Sequence, residues 1–316
     1  MSSLSNPIFH DADKARAWLE ARIWKNGTVC PHCGTVGEAT LMKGKTTRPG
    51  LYNCNACREP FTVTVGTLYE RSKIPLNKWL AATFLIMSSK KGISALQIGR
   101  MIDVSKKTAW FLCHRIRESL KNTDVDPMGG FGSIVEADET YVGGKESNKH
   151  FHKRFNDGRG SVGKAPVVSL IERGGEIRSM HLPKVNSDTL RPILQTHLKK
   201  HTFLMTDSAP YYAKTIRQLE GSIAHSTVNH NAGEYVRDKL WHTNTVENYF
   251  SILKRGITGT FHHVSQQHLA RYIAEFDYRY NNRAGKGIGD MERFEKSVPG
   301  IVGKRLTYRR IGEAQA

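Results

Sequence analysis

Three acids in this chain occupy positions that folding can bring to one point. Asp138 closes the run Val135-Glu136-Ala137-Asp138, and Asp207 directly follows Phe203-Leu204-Met205-Thr206. Glu247 stands near the start of a stretch with helical periodicity. A carboxylate at the end of a buried strand is costly unless it is solvated, paired or bound to a cation. Two such acids on adjacent central strands, joined by a third from a helix, make a hard oxygen site suited to two Mg2+ (or Mn2+) ions about 3.5–4 Å apart. One ion would polarise an attacking water or 3′-hydroxyl, and the other would stabilise the leaving 3′ oxygen in an in-line displacement at phosphorus. Other readings stay open for each acid. Asp207 can cap the helix that follows it. Glu247 can pair with Asn244 in a capping arrangement. Glu136 shares a strand face with Asp138 but lies deeper, and Glu139 points to the opposite face by alternation.

A second chemistry is written in thiols. Cys30-Pro31-His32-Cys33 and Cys54-Asn55-Ala56-Cys57 are two C-x2-C knuckles separated by 20 residues. Each knuckle sets two thiolates on one tight turn, and two such turns complete a tetrahedron around one structural Zn2+. The surrounding segment is too small for a large core, so metal binding can supply its folding free energy. His32 lies inside the first knuckle and is a neighbour rather than a ligand, because four thiolates already close the site. Cys113, alone, reads as a small core residue.

A third unit lies between. Ser94 can cap a short helix carrying Leu96, Ile98, Met101 and Ile102, Asp103-Val104 fits a turn, and Ser105 can cap a second helix. That helix sets Ala109, Leu112, Cys113 and Ile116 on its buried side at i, i+3, i+4 and i+7. Lys106, Lys107 and Thr108 then project from its first turn, where recognition helices meet DNA. A plain three-helix packing module is the competing reading. An earlier helix with Trp79, Leu80, Phe84, Leu85 and Met87 packs beneath.

The elements that must hold the acids read as alternating strands and helices. Strands are expected over residues 133–142, 165–171, 177–182 and 202–206. Helices are expected over 187–200, 209–219, 245–255 and about 265–282. The chain of 316 residues divides into an N-terminal helix and zinc ribbon (1–70), a helix-turn-helix (71–125), an α/β catalytic core (131–284) and a C-terminal tail (285–316). The fold class is therefore α+β multidomain. The stretch 143–164 carries Lys145, Lys149, Lys153, Arg154, Arg159 and Lys164 against Glu146 and Asp157; it is either a solvated hairpin extension or a DNA-contacting loop.

Composition agrees with a nucleic-acid partner. Lys and Arg total 47 against 29 Asp and Glu, a net charge of +18. Cations near phosphates release condensed counterions, so a polyanion is the natural ligand. No run of 18 or more apolar residues is present, and the first residues lack the pattern of a secretory signal, so neither a membrane nor export is expected. The expected compartment is the cytoplasm.

Val135-Glu136-Ala137-Asp138-Glu139-Thr140-Tyr141-Val142-Gly143-Gly144, Thr206-Asp207 and His242-Thr243-Asn244-Thr245-Val246-Glu247 resemble the catalytic motifs of bacterial insertion-sequence DDE transposases, in their ISXO2-like group. The resemblance extends from the zinc ribbon to Tyr278-Arg279-Tyr280-Asn281-Asn282-Arg283, and the triad shows no departure. It implies an RNase H-like core with a mixed sheet, with Asp138, Asp207 and Glu247 as the metal-binding triad. Lys254, seven residues after Glu247, is implied as the lysine that holds DNA near the metals; an exposed helix charge is the alternative. His242 and Asn244 match the family pattern and are candidates for supporting the acids or touching DNA. The implied partners are the element's terminal inverted repeats and target DNA, engaged by a dimer in the bacterial nucleoid, with no small-molecule substrate. A stand-alone nuclease or resolvase on the same fold and a non-catalytic DNA-binding regulator are the competing functions.

Overall fold

The computed structural model describes residues 3–122, 126–144, 148–154, 161–219, 223–228 and 241–307. The chain forms two units. One comprises the residues up to Lys121 together with those from Arg283 onward, and the other is Asn122–Asn282.

The first unit opens with helix α1, Ala12–Ile23. Asp11 caps it by accepting the N–H groups of Asp13 and Lys14. Three short antiparallel strands follow, β1 (Ala39–Leu41), β2 (Tyr52–Cys54) and β3 (Pro60–Phe61). Their core is only Cys30, Cys54 and Phe61, with Trp24 and Tyr52 packed against it. Helix α2 (Leu76–Ser88) buries Trp79, Leu80, Phe84, Leu85 and Met87. Helices α3 (Ala95–Met101) and α4 (Lys106–Ser119) begin at Ser94 and Ser105, whose hydroxyls accept the N–H groups of Gln97 and Thr108. Asp103 turns the chain between them in the left-handed region, φ 51°, where Asp is among the tolerated residues. Ile98 and Ile102 of the expected apolar set are buried, but Leu96 and Met101 are 47% and 52% exposed.

The second unit is built on β4 (Ile134–Val142), β5 (Ala165–Glu172), β6 (Ile177–His181), α5 (Ser187–His197), β7 (Phe203–Asp207), α6 (Pro210–Arg217), β8 (Ala224–Val228), α7 (Asn244–Gly256) and α8 (Gln266–Asn281). The described strands make one mixed sheet in the order β6-β5-β4-β7-β8. Strand β5 is antiparallel to β4 and β6, whereas β7 is parallel to both β4 and β8. One face packs on α5 and α6 through Val135, Ala137, Leu170, Leu190, Leu194 and Leu204. The other packs on α7 and α8 through Val142, Val167, Ile171, Val246, Leu253 and Ile273. The central strands β4 and β5 contribute to both cores and are covered on both sides. The expected sheet gains β8, a strand the sequence did not signal. Residues 145–147 and 155–160 of the basic stretch 143–164 lie outside the described residues.

The expected C-terminal tail contains structure. Helix α9 (Asp290–Ser297) buries Arg293, Phe294 and Ser297. The Phe294 ring meets Phe9, Trp18 and Phe84, and Arg293 donates to the Met87 carbonyl at 3.0 Å. Leu68 N–H then bonds Ile301 O at 3.0 Å and Gly303 N–H bonds Gly66 O at 2.9 Å, which ties the segment to the first unit. No helix among the described residues is long and apolar enough to cross a membrane.

Candidate active site and metal centres

Parallel pairing of β4 and β7 sets Glu136 level with Met205, so two residues further on Asp138, midway along β4, comes beside Asp207 at the end of β7. Asp138, Glu139 and Asp207 each offer a carboxylate oxygen, and those oxygens lie within 4.8 Å of one another. The Asp138 carboxyl is pushed up to about 8, first by burial and then by the charge of Glu139, with Asp207 and Glu247 adding to it; the Glu139 N–H, 2.8 Å from its Oδ1, opposes the shift. A divalent cation is the missing counter-charge for such a group. Three oxygens at this separation fit a hard cation such as Mg2+ or Mn2+.

Glu139 belongs to this cluster, which the sequence reading did not anticipate. Alternation does aim it at the α6 face: Tyr211 donates to Oε1, and Tyr212 donates to Oε2 at 3.1 Å. Because β7 ends at Asp207, the Glu139 carboxylate still reaches it. Burial raises its pKa, the Tyr211 hydrogen bond opposes that, and the Asp207 charge adds to it. The available signal was three acids within four residues of a buried strand.

Asp207 also serves α6, for its Oδ1 accepts the Ala209 N–H at 3.0 Å. The other bland alternative does not form: α7 starts after Thr243 rather than Asn244, and the Thr243 hydroxyl donates to Glu247 Oε1 at 3.2 Å. Glu247 is exposed in the first turn of α7, outside the 4.8 Å cluster but close enough for its charge to act on Asp138. Lys254 is exposed in the last turn of that helix.

The start of α7 is anchored by Glu136, which is fully buried. Its carboxylate accepts the Thr245 N–H at 2.8 Å, the Thr245 hydroxyl at 2.8 Å, the Val246 N–H at 3.1 Å and Arg173 Nε at 2.7 Å. A carboxylate at a helix N-terminus also complements the helix dipole. Arg173 Nη2 meets His242 Nδ1 at 3.1 Å and donates to the His242 carbonyl at 2.9 Å. That Nδ1 also lies 3.3 Å from the Asn244 N–H and 3.3 Å from Glu136 Oε1. His242 and Asn244 therefore lie behind the acids, in the mount that fixes the helix carrying Glu247. Glu136→Gln is expected to cost roughly 2–3 kcal/mol of unfolding free energy, because it removes the charge that the half-buried Arg173 and the α7 N–H groups share. Urea unfolding measures this, and an unmoved midpoint would remove the anchoring role.

In the first unit the four cysteines converge. Cys30 Sγ lies 3.7 Å from Cys57 Sγ, Cys33 Sγ lies 3.6 Å from Cys54 Sγ, and all four sulfurs fall within 4.8 Å. Four sulfurs about 2.3 Å from a central Zn2+ stand roughly 3.8 Å apart, so the group fits zinc. The knuckles repeat one design. Gly34 N–H returns to Cys30 O and Arg58 N–H to Cys54 O, each at 2.9 Å. Gly34 and Arg58 both take positive φ, 76° and 62°. His32 is exposed and outside the sulfur group. Lys106 and Lys107 are exposed on the first turn of α4, and Thr108 is half-buried there.

Residues 129–281 match the family model of the ISXO2-like transposase domain, and residues 10–59 match that of the transposase zinc-ribbon domain. A protein described as "Uncharacterized protein in transposable element ISH50", from Halobacterium salinarum, is 28% identical over 278 residues, covering 85% of this chain and 90% of that protein. Among solved structures, a pre-cleavage Mos1 transpososome is 13% identical over 72% of this chain and 80% of that chain, at a TM-score of 0.20. A mariner Mos1 paired-end complex with Mg is 14% identical over 75% and 82%, at 0.22. Overlays that loose transfer no residue roles. Both domain matches agree with the motifs read from the sequence: the chain carries an ISXO2-like transposase domain behind a transposase zinc-ribbon domain.

Proposed function

We propose that this chain binds the ends of an insertion sequence and performs DNA strand cleavage and strand transfer at a two-metal site held by Asp138, Asp207 and Glu247. The observation that carries the reading is the gathering of Asp138, Glu139 and Asp207 oxygens within 4.8 Å, with the charge of Glu247 felt at Asp138. Bound Mg2+ or Mn2+ would polarise the attacking oxygen and neutralise charge on the leaving 3′ oxygen. The residues supply the rest. Asp138 and Asp207 present oxygens from paired strands, one midway along β4 and one at the end of β7. Glu247 approaches from a helix whose start Glu136 fixes. Tyr211 and Tyr212 hold Glu139 in one orientation beside them. Lys254, two turns beyond Glu247, is suited to a DNA phosphate.

The mixed sheet and its flanking helices serve as an RNase H-like core. The ribbon, closed by structural Zn2+ at Cys30, Cys33, Cys54 and Cys57, together with α3 and α4 as a helix-turn-helix, locates the ends. Lys106, Lys107 and Thr108 contact DNA from the first turn of α4, in keeping with the net charge of +18. A dimer would bridge two ends.

The test is a duplex carrying the element's terminal repeat and its flank, incubated with the full chain, Mg2+ and a target plasmid. Nicking at the terminus followed by covalent joining of the new 3′-hydroxyl is expected. Nicking without joining would make the chain a nuclease, and end binding without either would make it a regulator.

A further inference from the structure

In the first unit a cavity of about 320 Å3 opens between the first turn of α4 and the segment leading into α2. Arg71, Lys73, Lys107 and Arg115 contribute cations to its wall, and Trp79 and Phe111 contribute rings. No carboxylate is among its described lining residues. Arg115 is 7% exposed, forms no ion pair among the described residues, and its Nε has no hydrogen-bond partner there. Its Nη2 donates to the Glu70 carbonyl at 3.0 Å, and its guanidinium lies 5.2 Å from the Trp79 ring centre and 5.7 Å from that of Phe111. Those contacts compensate a buried cation only in part. The Glu70 carboxylate meets Arg71 Nε at 3.6 Å, but the Arg71 side chain is 80% exposed, so that pair is weak.

We propose that this cavity receives one phosphate of the DNA backbone, with Arg115, backed by Trp79, at its floor, Arg71, Lys73 and Lys107 at its rim, and the neighbouring sugar against Phe111. The proposal rests on the reading that α4 meets DNA, and extends it to a residue set from the segment before α2. A planar guanidinium backed by rings recognises a phosphate ester. Lysines at the rim add charge neutralisation without sequence preference. The volume exceeds that of a phosphate and leaves room for the sugar.

The experiment uses the full chain and a duplex bearing the element's terminal repeat, with affinity measured across a salt series and with phosphate-ethylation interference. Arg71→Gln combined with Lys73→Gln alters exposed side chains and avoids the buried Arg115. This pair is expected to weaken binding about tenfold and to lower the slope of log affinity on log salt by about one. Ethylation of one backbone phosphate should block the wild type and lose its effect in the double variant. Lys106→Ala, outside the cavity, should weaken binding while leaving that interference in place. If Lys106→Ala weakens binding but the double variant keeps slope and interference, the cavity is not a DNA phosphate site and the α4 reading stands. If neither variant changes binding, the α4 reading itself fails. Inorganic phosphate or a mononucleotide that raises the wild-type melting temperature, with the DNA slope unchanged by the double variant, would reassign the cavity to a small phosphate ester.

Discussion

Asp138→Asn is expected to lower strand cleavage and joining by at least about a thousandfold, the scale of losing a group that acts only in the transition state, and to make the metal-free protein more stable at pH 8. The second effect follows from the carboxyl's position near 8, against an ordinary value of 3.8. Between those values the folded chain keeps a proton that the unfolded chain has released, so stability falls as pH rises through the window. Below about 4 both states are protonated and nothing further is gained. Asparagine does not ionise, so the variant escapes the loss. In a chelator its melting temperature should exceed that of the wild type by roughly 5 °C at pH 8, and the gap should close toward pH 4. Added Mg2+ should raise the wild-type melting temperature and leave the variant unmoved. Over the same window the wild-type Mg2+ affinity should rise up to about tenfold per pH unit, because the ligand must lose its proton. Joining retained by Asp138→Asn would remove the residue from the site. Glu247→Gln should match its catalytic loss. Glu139→Gln, a ligand geometrically but outside the family triad, should lose less, and the reverse order would replace Glu247 with Glu139 in the triad.

Cys30→Ser should empty the zinc site and unfold the ribbon. The segment has strands of three, three and two residues and a core of Cys30, Cys54 and Phe61. So little buried surface cannot offset its ordering entropy. The metal is asked for about 10 kcal/mol, the scale of structural zinc in small domains. Zinc content should fall from one ion per chain to near zero. Amide exchange should become fast between residues 28 and 65 while α2 and α4, which have their own buried faces, remain protected. Full zinc content in the variant would refute the ligand assignment.

The sequence made the central sheet legible because β5 is apolar on both faces, where a run such as Val167-Val168-Ser169-Leu170-Ile171 admits few other states, and because apolar residues lead into the acids of β4 and β7. The serines ahead of α3 and α4 were equally legible, since a cap is a local signal. Strand β8, Ala-His-Ser-Thr-Val, is an edge strand that buries only Val228, and its polarity reads as loop. Helix α9 is short and mostly charged, and it exists because Phe294 enters an aromatic cluster formed by residues far away in sequence. The acids divide the same way. Asp138 and Asp207 could be placed by their strand ends. Glu136 could not be recognised as an anchor, since its partners Thr245 and Val246 lie 109 and 110 residues away. Alternation described the direction of Glu139 correctly and still missed its membership, because β7 stops at Asp207 and a flexible side chain on β4 can reach round that end.

The return of the chain to its first unit after Asn282 has a consequence for synthesis. Residues 283–303 supply α9 and the pairing of Gly303 with Gly66, so the portion that would recognise element ends is finished only when the last stretch leaves the ribosome. By then the acid-bearing portion has already been made. A message cut short after α4 would lack α9 and the Gly303–Gly66 pairing, so the portion proposed to occupy ends would be complete only in products that also carry the acids.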